Sequence, residues 1–240
     1  TAVNDAPASS DNTVTTDEDT TYTFLVTDFA ISDVEGDALA SVTITTLPGA
    51  GSLELNGSAV SVDDVISVDD ITNGLLTFVP TLNENGTGYA SFDFVINDGT
   101  DDAVSANTMT VDVTAVNDAP TSTDNTVTTD EDVTYTFTAV DFNFSDVDGD
   151  ELASVTITTL PGAGTLELNG SAVSVNDEIS KTDIDAGLLK LIPVTDANGT
   201  PYGSFEFVVN DGTIDAASAS TMTIDVTAVN DAPASSDNTV

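Results

Sequence analysis

The chain has 240 residues, with 42 Asp plus Glu against 2 Lys plus Arg and a formal net charge of −40. Phosphate recognition needs clustered Lys or Arg, so nucleic acid and anionic membrane are excluded as direct partners. No stretch of 18 apolar residues exists, so no membrane-spanning helix or direct membrane insertion is expected.

Such a charge alone would favour disorder. The hydrophobic fraction of 40% and its regular placement argue for a folded chain. The two facts are reconciled if cations from solution neutralise the carboxylates. There is no Cys, so rigidity must come from something other than disulfides, and metal is the usual substitute. Zinc is disfavoured because His is also absent. No signal peptide is visible, as expected for an internal segment.

The chain repeats itself. Thr1-Ala2-Val3-Asn4-Asp5-Ala6-Pro7 returns at Thr114–Pro120 and again at Thr227–Pro233, a step of 113 residues each time. The two copies align without a gap, with 81 identities in the 113 positions. Two modules copied in tandem are expected, each long enough for its own core. Residues 227–240 read like residues 1–14 and not like 114–127. That pattern suggests a segment of a longer array, whose last ten or so residues are the poorly ordered stub of another module.

Taken in chain order, the apolar residues of one module alternate. Tyr22, Phe24 and Val26 form the first such run, then Val42 and Ile44. Leu53 to Val60 reads as a hairpin on the Asn56-Gly57 turn. Residues 62–76 are expected to hold one short helical or irregular turn. Phe92, Phe94 and Ile96 alternate, as do Met109, Val111, Val113 and Ala115. The second module repeats every element, with its hairpin at Leu166 to Val173. Seven or so short strands in about 100 residues predict an all-β fold of immunoglobulin-like β-sandwich modules joined end to end. Most Phe and Tyr fall on apolar strand faces; Phe29, Phe142 and Phe144 are candidates for exposed aromatics.

The acids fall into four groups per module. The first is Asn4-Asp5, Asn117-Asp118 and Asn230-Asp231, directly before Ala-Pro. The second is Asp17-Glu18-Asp19 and Asp130-Glu131-Asp132. The third is Asp33-Val34-Glu35-Gly36-Asp37 and Asp146-Val147-Asp148-Gly149-Asp150. The fourth is Asn97-Asp98-Gly99 and Asn210-Asp211-Gly212. Asp-Gly and Asn-Gly pairs also occur in turns that bind no metal, and an acidic triplet can simply guard a strand edge. Together, without neutralising cations, the four groups would repel one another unless a cation bridges them. Calcium, which takes six to eight oxygens, suits acids at i, i+2 and i+4 around a Gly.

Two segments carry a resemblance. Phe92-Asp93-Phe94-Val95-Ile96-Asn97-Asp98-Gly99, followed by Met109 to Pro120, resembles the end of a cadherin-type repeat. More closely it resembles the cadherin-like tandem repeats of giant bacterial surface adhesins of the RTX type. The resemblance spans the whole chain and implies Ca2+ bound between successive modules of the same chain. Its boundaries would be a linker at 1–7, a first cadherin-like module at 8–116 and a calcium-binding linker at 117–120. A second module at 121–229 and a linker with stub at 230–240 complete it.

Carried over residue by residue, the junction at Asn117 and Asp118 would take Glu18, Asp146, Asp148 and Asp211. Asn4 and Asp5 would pair with Asp33, Glu35 and Asp98, and Asn230 and Asp231 with Glu131; these two sites lack a flanking module and would be weaker. The cadherin acidic motif before the penultimate strand is missing; Asn83-Glu84-Asn85 and Asp196-Ala197-Asn198 stand near its place. The glycine-rich nonapeptide of RTX proteins is also absent.

The resemblance implies a non-enzymatic, monomeric extender of an extracellular stalk on a bacterial cell surface, stiffened by calcium. The alternative is a module that binds carbohydrate or protein directly, although there is no Trp to form a sugar platform. An enzyme is disfavoured. Paired carboxylates could serve a glycosidase, but nothing in the repeat pattern places a pair in a cleft.

Overall fold

The computed structural model describes residues 3–232; the expected stub at 233–240 lies outside them. The chain divides into two units, Thr1–Val116 and Asn117–Val240. In each, nearly all of the regular secondary structure is β-strand.

In the first unit the strands are β1 (Asn12–Asp17), β2 (Tyr22–Thr23), β3 (Ser41–Ile44), β4 (Ser52–Leu55), β5 (Ser58–Ala59) and β6 (Val65–Ser67). A short helix α1 (Val68–Thr72) follows, then β7 (Leu76–Val79), β8 (Gly86–Asn97) and β9 (Asn107–Thr114). A five-stranded sheet runs β1-β9-β8-β3-β6, and a four-stranded sheet runs β2-β7-β4-β5. β1 pairs with β9 in parallel, from Asn12 opposite Met109 to Asp17 opposite Thr114; β8 and β9 are antiparallel.

The second unit repeats this with β10 (Asn125–Asp130), β11 (Tyr135–Thr136), β12 (Ser154–Ile157), β13 (Thr165–Leu168), β14 (Ser171–Ala172) and β15 (Glu178–Ser180). α2 (Lys181–Asp185), β16 (Leu189–Ile192), β17 (Gly199–Asn210) and β18 (Ser220–Thr227) complete it. Its sheets are β10-β18-β17-β12-β15 and β11-β16-β13-β14.

The alternation seen in the sequence sets the core. Val42, Ile44, Phe92, Phe94, Ile96, Met109, Val111 and Val113 point inward, and their Thr and Asp neighbours point out. Aromatic rings meet edge to face in both cores: Phe24 with Phe92 at 5.6 Å and Phe137 with Phe205 at 5.6 Å between centroids.

Three expectations need correction. The run Tyr22–Phe24–Val26 is not one strand. It leaves the sheet after Thr23 because Asp28 Oδ2 accepts the Leu25 N–H at 2.8 Å and the Tyr22 hydroxyl at 3.0 Å, winding Val26–Asp28 into a 3-10 turn. Phe29 and Phe142 are not exposed aromatics. Each is fully buried and stacks edge to face, on Phe94 and Phe207 respectively, while Phe144 packs partly buried against the second core. Nine strands form per unit instead of about seven, because two are two-residue pairings.

The turn at 62–76 resolves into β6 and α1. Ser67 caps the helix by accepting the Asp70 N–H at 3.1 Å, and its hydroxyl donates back to Asp70 Oδ2 at 2.6 Å. The Asn-Gly hairpins form as read: Asn56 and Gly57 have φ of 50° and 73°, and Asn169 and Gly170 of 49° and 78°. Both central residues are therefore left-handed, as a primed hairpin turn requires.

Candidate cation-binding loops

In the first unit the Asp33 loop folds on its own carboxylate. Asp33 Oδ1 accepts the N–H groups of Glu35 at 2.8 Å and Asp37 at 3.0 Å. This local turn is why Asp and Gly36, at φ 84°, stand at this spacing. The other oxygen, Asp33 Oδ2, is buried without a hydrogen-bond partner. Glu35 Oε2 accepts the Asp5 N–H at 3.3 Å. Asn4 donates its amide to Asp98 Oδ2 and to Asp101 Oδ2, both at 3.0 Å. Asp98 Oδ1 accepts from the N–H groups of Asp101 and Thr100. The Asp101 N–H and the Asn4 amide hold the Asp98 carboxyl below its ordinary range.

The second unit repeats the arrangement with shorter acids. Asp146 Oδ1 accepts from the N–H groups of Asp148 at 2.9 Å and Asp150 at 3.2 Å, and Asp146 Oδ2 is again buried and unpartnered. Asp148 Oδ2 accepts the Asp118 N–H at 2.7 Å, and Asn117 donates to Asp211 Oδ2 at 3.0 Å. Carboxylate oxygens of Asp146, Asp148 and Asp150 lie within 4.8 Å of one another. Burial pushes the Asp211 carboxyl up, but the Asn117 amide and the N–H groups of Ile214 and Thr213 outweigh it, and its pKa is lowered.

The sequence-derived partners Asn4, Asp5, Asp33, Glu35 and Asp98 are thus brought together in the first unit. Asn117, Asp118, Asp146, Asp148 and Asp211 are brought together in the second. Glu18 belongs to the first unit. It is buried, and its carboxylate accepts the Val116 N–H at 2.6 Å and the Asn85 amide at 3.1 Å. Glu131 repeats this with Val229 at 2.6 Å and Asn198 at 2.9 Å, and these donors, Asn198 foremost, lower its pKa. Asn230 donates to the Asp231 carbonyl.

Sequence reasoning missed a second convergence. Asp132, Asp196 and Asp231 also place carboxylate oxygens within 4.8 Å of one another. Left-handed backbone at Asp132 and Asp196 shapes these turns, and the Asp196 N–H donates to Asp132 Oδ1 at 3.1 Å. Asp196, foremost, raises the Asp231 pKa by charge repulsion, with burial, Glu131 and Asp132 adding to it. The available signal was the change from Asn83 to Asp196 between otherwise similar copies. Asp150 was likewise in the acidic motif but not in the expected ligand set.

Chemically, these loops offer only hard oxygen donors. Among the described residues the single ion pair is Lys181 Nζ to Asp185 Oδ2 at 2.6 Å, on α2 and not in these loops. Converging carboxylates and an orphaned buried oxygen, with no Lys or Arg in these loops, fit a hard divalent cation of the calcium type.

Two stacked-sheet modules of immunoglobulin-like topology, each repeating the same acidic loops, define a tandem β-sandwich protein of a class that is typically non-catalytic. The chain belongs to the bacterial Ig domain family, whose profile matches residues 4–114 and 117–227. It is similar in fold to human protocadherin-24 EC1-2 at 14% identity, covering 96% of this chain and 100% of that one, with a TM-score of 0.50. Protocadherin gamma B7 domains 1–4 align over 94% of this chain and 52% of that one at 13% identity and a TM-score of 0.44. An endo-fucoidan hydrolase of glycoside hydrolase family 107 aligns at 21% identity and a TM-score of 0.31. That match covers 94% of this chain, which spans only 29% of the hydrolase. No curated protein matches the chain. Among the described residues no helix is long and apolar enough to cross a membrane.

Proposed function

We propose that the chain is a pair of extender modules from the extracellular stalk of a bacterial surface adhesin, rigidified by calcium at the module junctions. The carrying observation is the orphaned oxygen of Asp146 (Asp33 in the first unit), buried inside a loop of carboxylates. A buried carboxylate oxygen without a donor is costly, and a divalent cation is the ligand that relieves it. Asn117, Asp118, Asp146, Asp148, Asp150 and Asp211 would supply oxygens in the second unit. Asn4, Asp5, Asp33, Glu35 and Asp98 would do so at the preceding junction, and Glu131, Asp132, Asp196, Asn230 and Asp231 at the following one.

An ion shared by two modules removes hinge freedom and screens repulsion within a chain of net charge −40. Extracellular calcium modules bind at roughly 10⁻⁴ to 10⁻³ M, so a calcium-rich medium would hold the stalk stiff. A direct sugar-binding role finds less support, since two of its three aromatic candidates, Phe29 and Phe142, belong to the cores and only Phe144 stays partly exposed.

Small-angle X-ray scattering in excess calcium and then in chelator tests this reading. Chelation is expected to broaden the distribution of interdomain distances. Identical scattering in the two conditions would remove the linker clamp and return attention to direct ligand binding.

A further inference from the structure

The β4–β5 hairpin carries chemistry that the acidic loops do not use. Asn56-Gly57-Ser58 and Asn169-Gly170-Ser171 each spell Asn-x-Ser, the acceptor triplet for asparagine-linked sugar. Asn85-Gly86-Thr87 and Asn198-Gly199-Thr200 spell it with Thr. The primed turn accounts for the Asn and the Gly, because both need left-handed backbone. It does not account for a hydroxyl on the next residue.

The fold separates the four. Asn56, Gly57 and Ser58 are all exposed, as are Asn169, Gly170 and Ser171. Among the described residues, neither Asn56 nor Asn169 engages its side-chain amide in a hydrogen bond. The amides of Asn85 and Asn198 are instead donated to the buried carboxylates of Glu18 at 3.1 Å and Glu131 at 2.9 Å. A nitrogen held against a buried carboxylate oxygen cannot turn outward without leaving that oxygen, Oε2 of Glu18 or Glu131, without a donor.

We propose that Asn56 and Asn169 are sites of asparagine-linked glycosylation, with the sugar delivered as a glycosyl diphosphate. In the transfer, the amide nitrogen bonds to the anomeric carbon. The bond from that carbon to the diphosphate oxygen breaks, and the diphosphate leaves with the electron pair. One amide proton passes to a base on the transferase. β5 and β14 are edge strands of their four-stranded sheets, so a sugar on each hairpin shields an open edge from pairing with another chain. Its placement recurs once per repeat.

The test is glycopeptide mapping by tandem mass spectrometry of the full-length protein from the cells that make it, after cleavage at acidic residues. The expected result is a sugar mass on the peptides containing Asn56 and Asn169, with those containing Asn85 and Asn198 bare. Ser58→Ala and Ser171→Ala, which keep the turn, should each abolish the modification in their own module. A single hexose identifies a nucleotide-linked donor and an oligosaccharide a lipid-linked one; either supports the assignment. Bare Asn56 and Asn169 peptides, sugar on Asn85 or Asn198, or sugar surviving the serine substitutions would overturn it.

Discussion

Glu18 Oε1 accepts the backbone N–H of Val116 at 2.6 Å, so a carboxylate just beyond β1 fastens the chain where it leaves β9. The residue is 3% exposed, and its second oxygen accepts the Asn85 amide. Truncation therefore leaves two donors without their acceptor. Glu18→Ala is expected to destabilise the first unit by about 2 kcal/mol in chemical denaturation. Glu18→Gln, which retains one carbonyl acceptor, should lose less; equal losses would show that charge and not hydrogen bonding matters here.

Calcium binding should separate from folding at Asp146. An Asn there can still accept the Asp148 and Asp150 N–H groups through Oδ1 while removing the charge from the orphaned position. Asp146→Asn should weaken calcium by about tenfold or more in titration calorimetry, since one charged ligand is lost. The thermal midpoint in chelator should be nearly unchanged. A variant that binds calcium normally would exclude this loop from the site.

Glycine substitutions should differ sharply on the two sides of β4. A Cβ on Gly51, at φ +65°, would meet Phe78 Cζ at 2.5 Å and the Val79 carbonyl at 2.7 Å. Gly57, at φ +73°, faces open space. Gly57→Ala should cost about 1 kcal/mol from backbone strain alone. Gly51→Ala should cost at least about 2 kcal/mol, because the clash is with core and backbone. Thermal denaturation of the two variants orders them.

Tyr22 and Tyr135 should titrate late. Burial, then the neighbouring carboxylate of Asp28 or Asp141, pushes each phenol from 10.0 to about 12. A raised phenol pKa means that the folded state keeps a proton the unfolded chain gives up. The associated stability is fully present below pH 10 and is lost as pH rises towards about 12. Ultraviolet phenolate titration of the folded chain against Tyr22→Phe and Tyr135→Phe variants checks this. Loss of an ordinary-range phenolate signal in either variant would contradict it.

Legibility in the sequence followed locality. The Asn56-Gly57 hairpin and the alternation from Phe92 to Ile96 depend on neighbours along the chain, and both formed as read. The pairings of Asn4 with Asp98 and Asn117 with Asp211 span 94 residues and were reachable only through the resemblance. Val26 was misread because Asp28 curls the chain out of the strand, a side-chain effect that apolar spacing does not register. Phe142 looked exposed because Asn143 follows it; Asn143 in fact takes the left-handed position that ends a second 3-10 turn, Ala139–Phe142. Asp132 and Asp196 meet through two turns far apart in sequence, and the Asn83-to-Asp196 exchange between the copies marks a new acid without marking its partner.

The parallel pairing of β1 with β9 has a mechanical consequence. The first strand of the larger sheet lies beside the last, in register from Asn12–Met109 to Asp17–Thr114, and both point the same way. Tension applied to the two ends of a module pulls β1 towards its start and β9 towards its finish. The bonds between them lie across the load, so they resist sliding together instead of opening one after another. β10 and β18 are paired in the same manner. Each module therefore contains a shear clamp between its first and last strands.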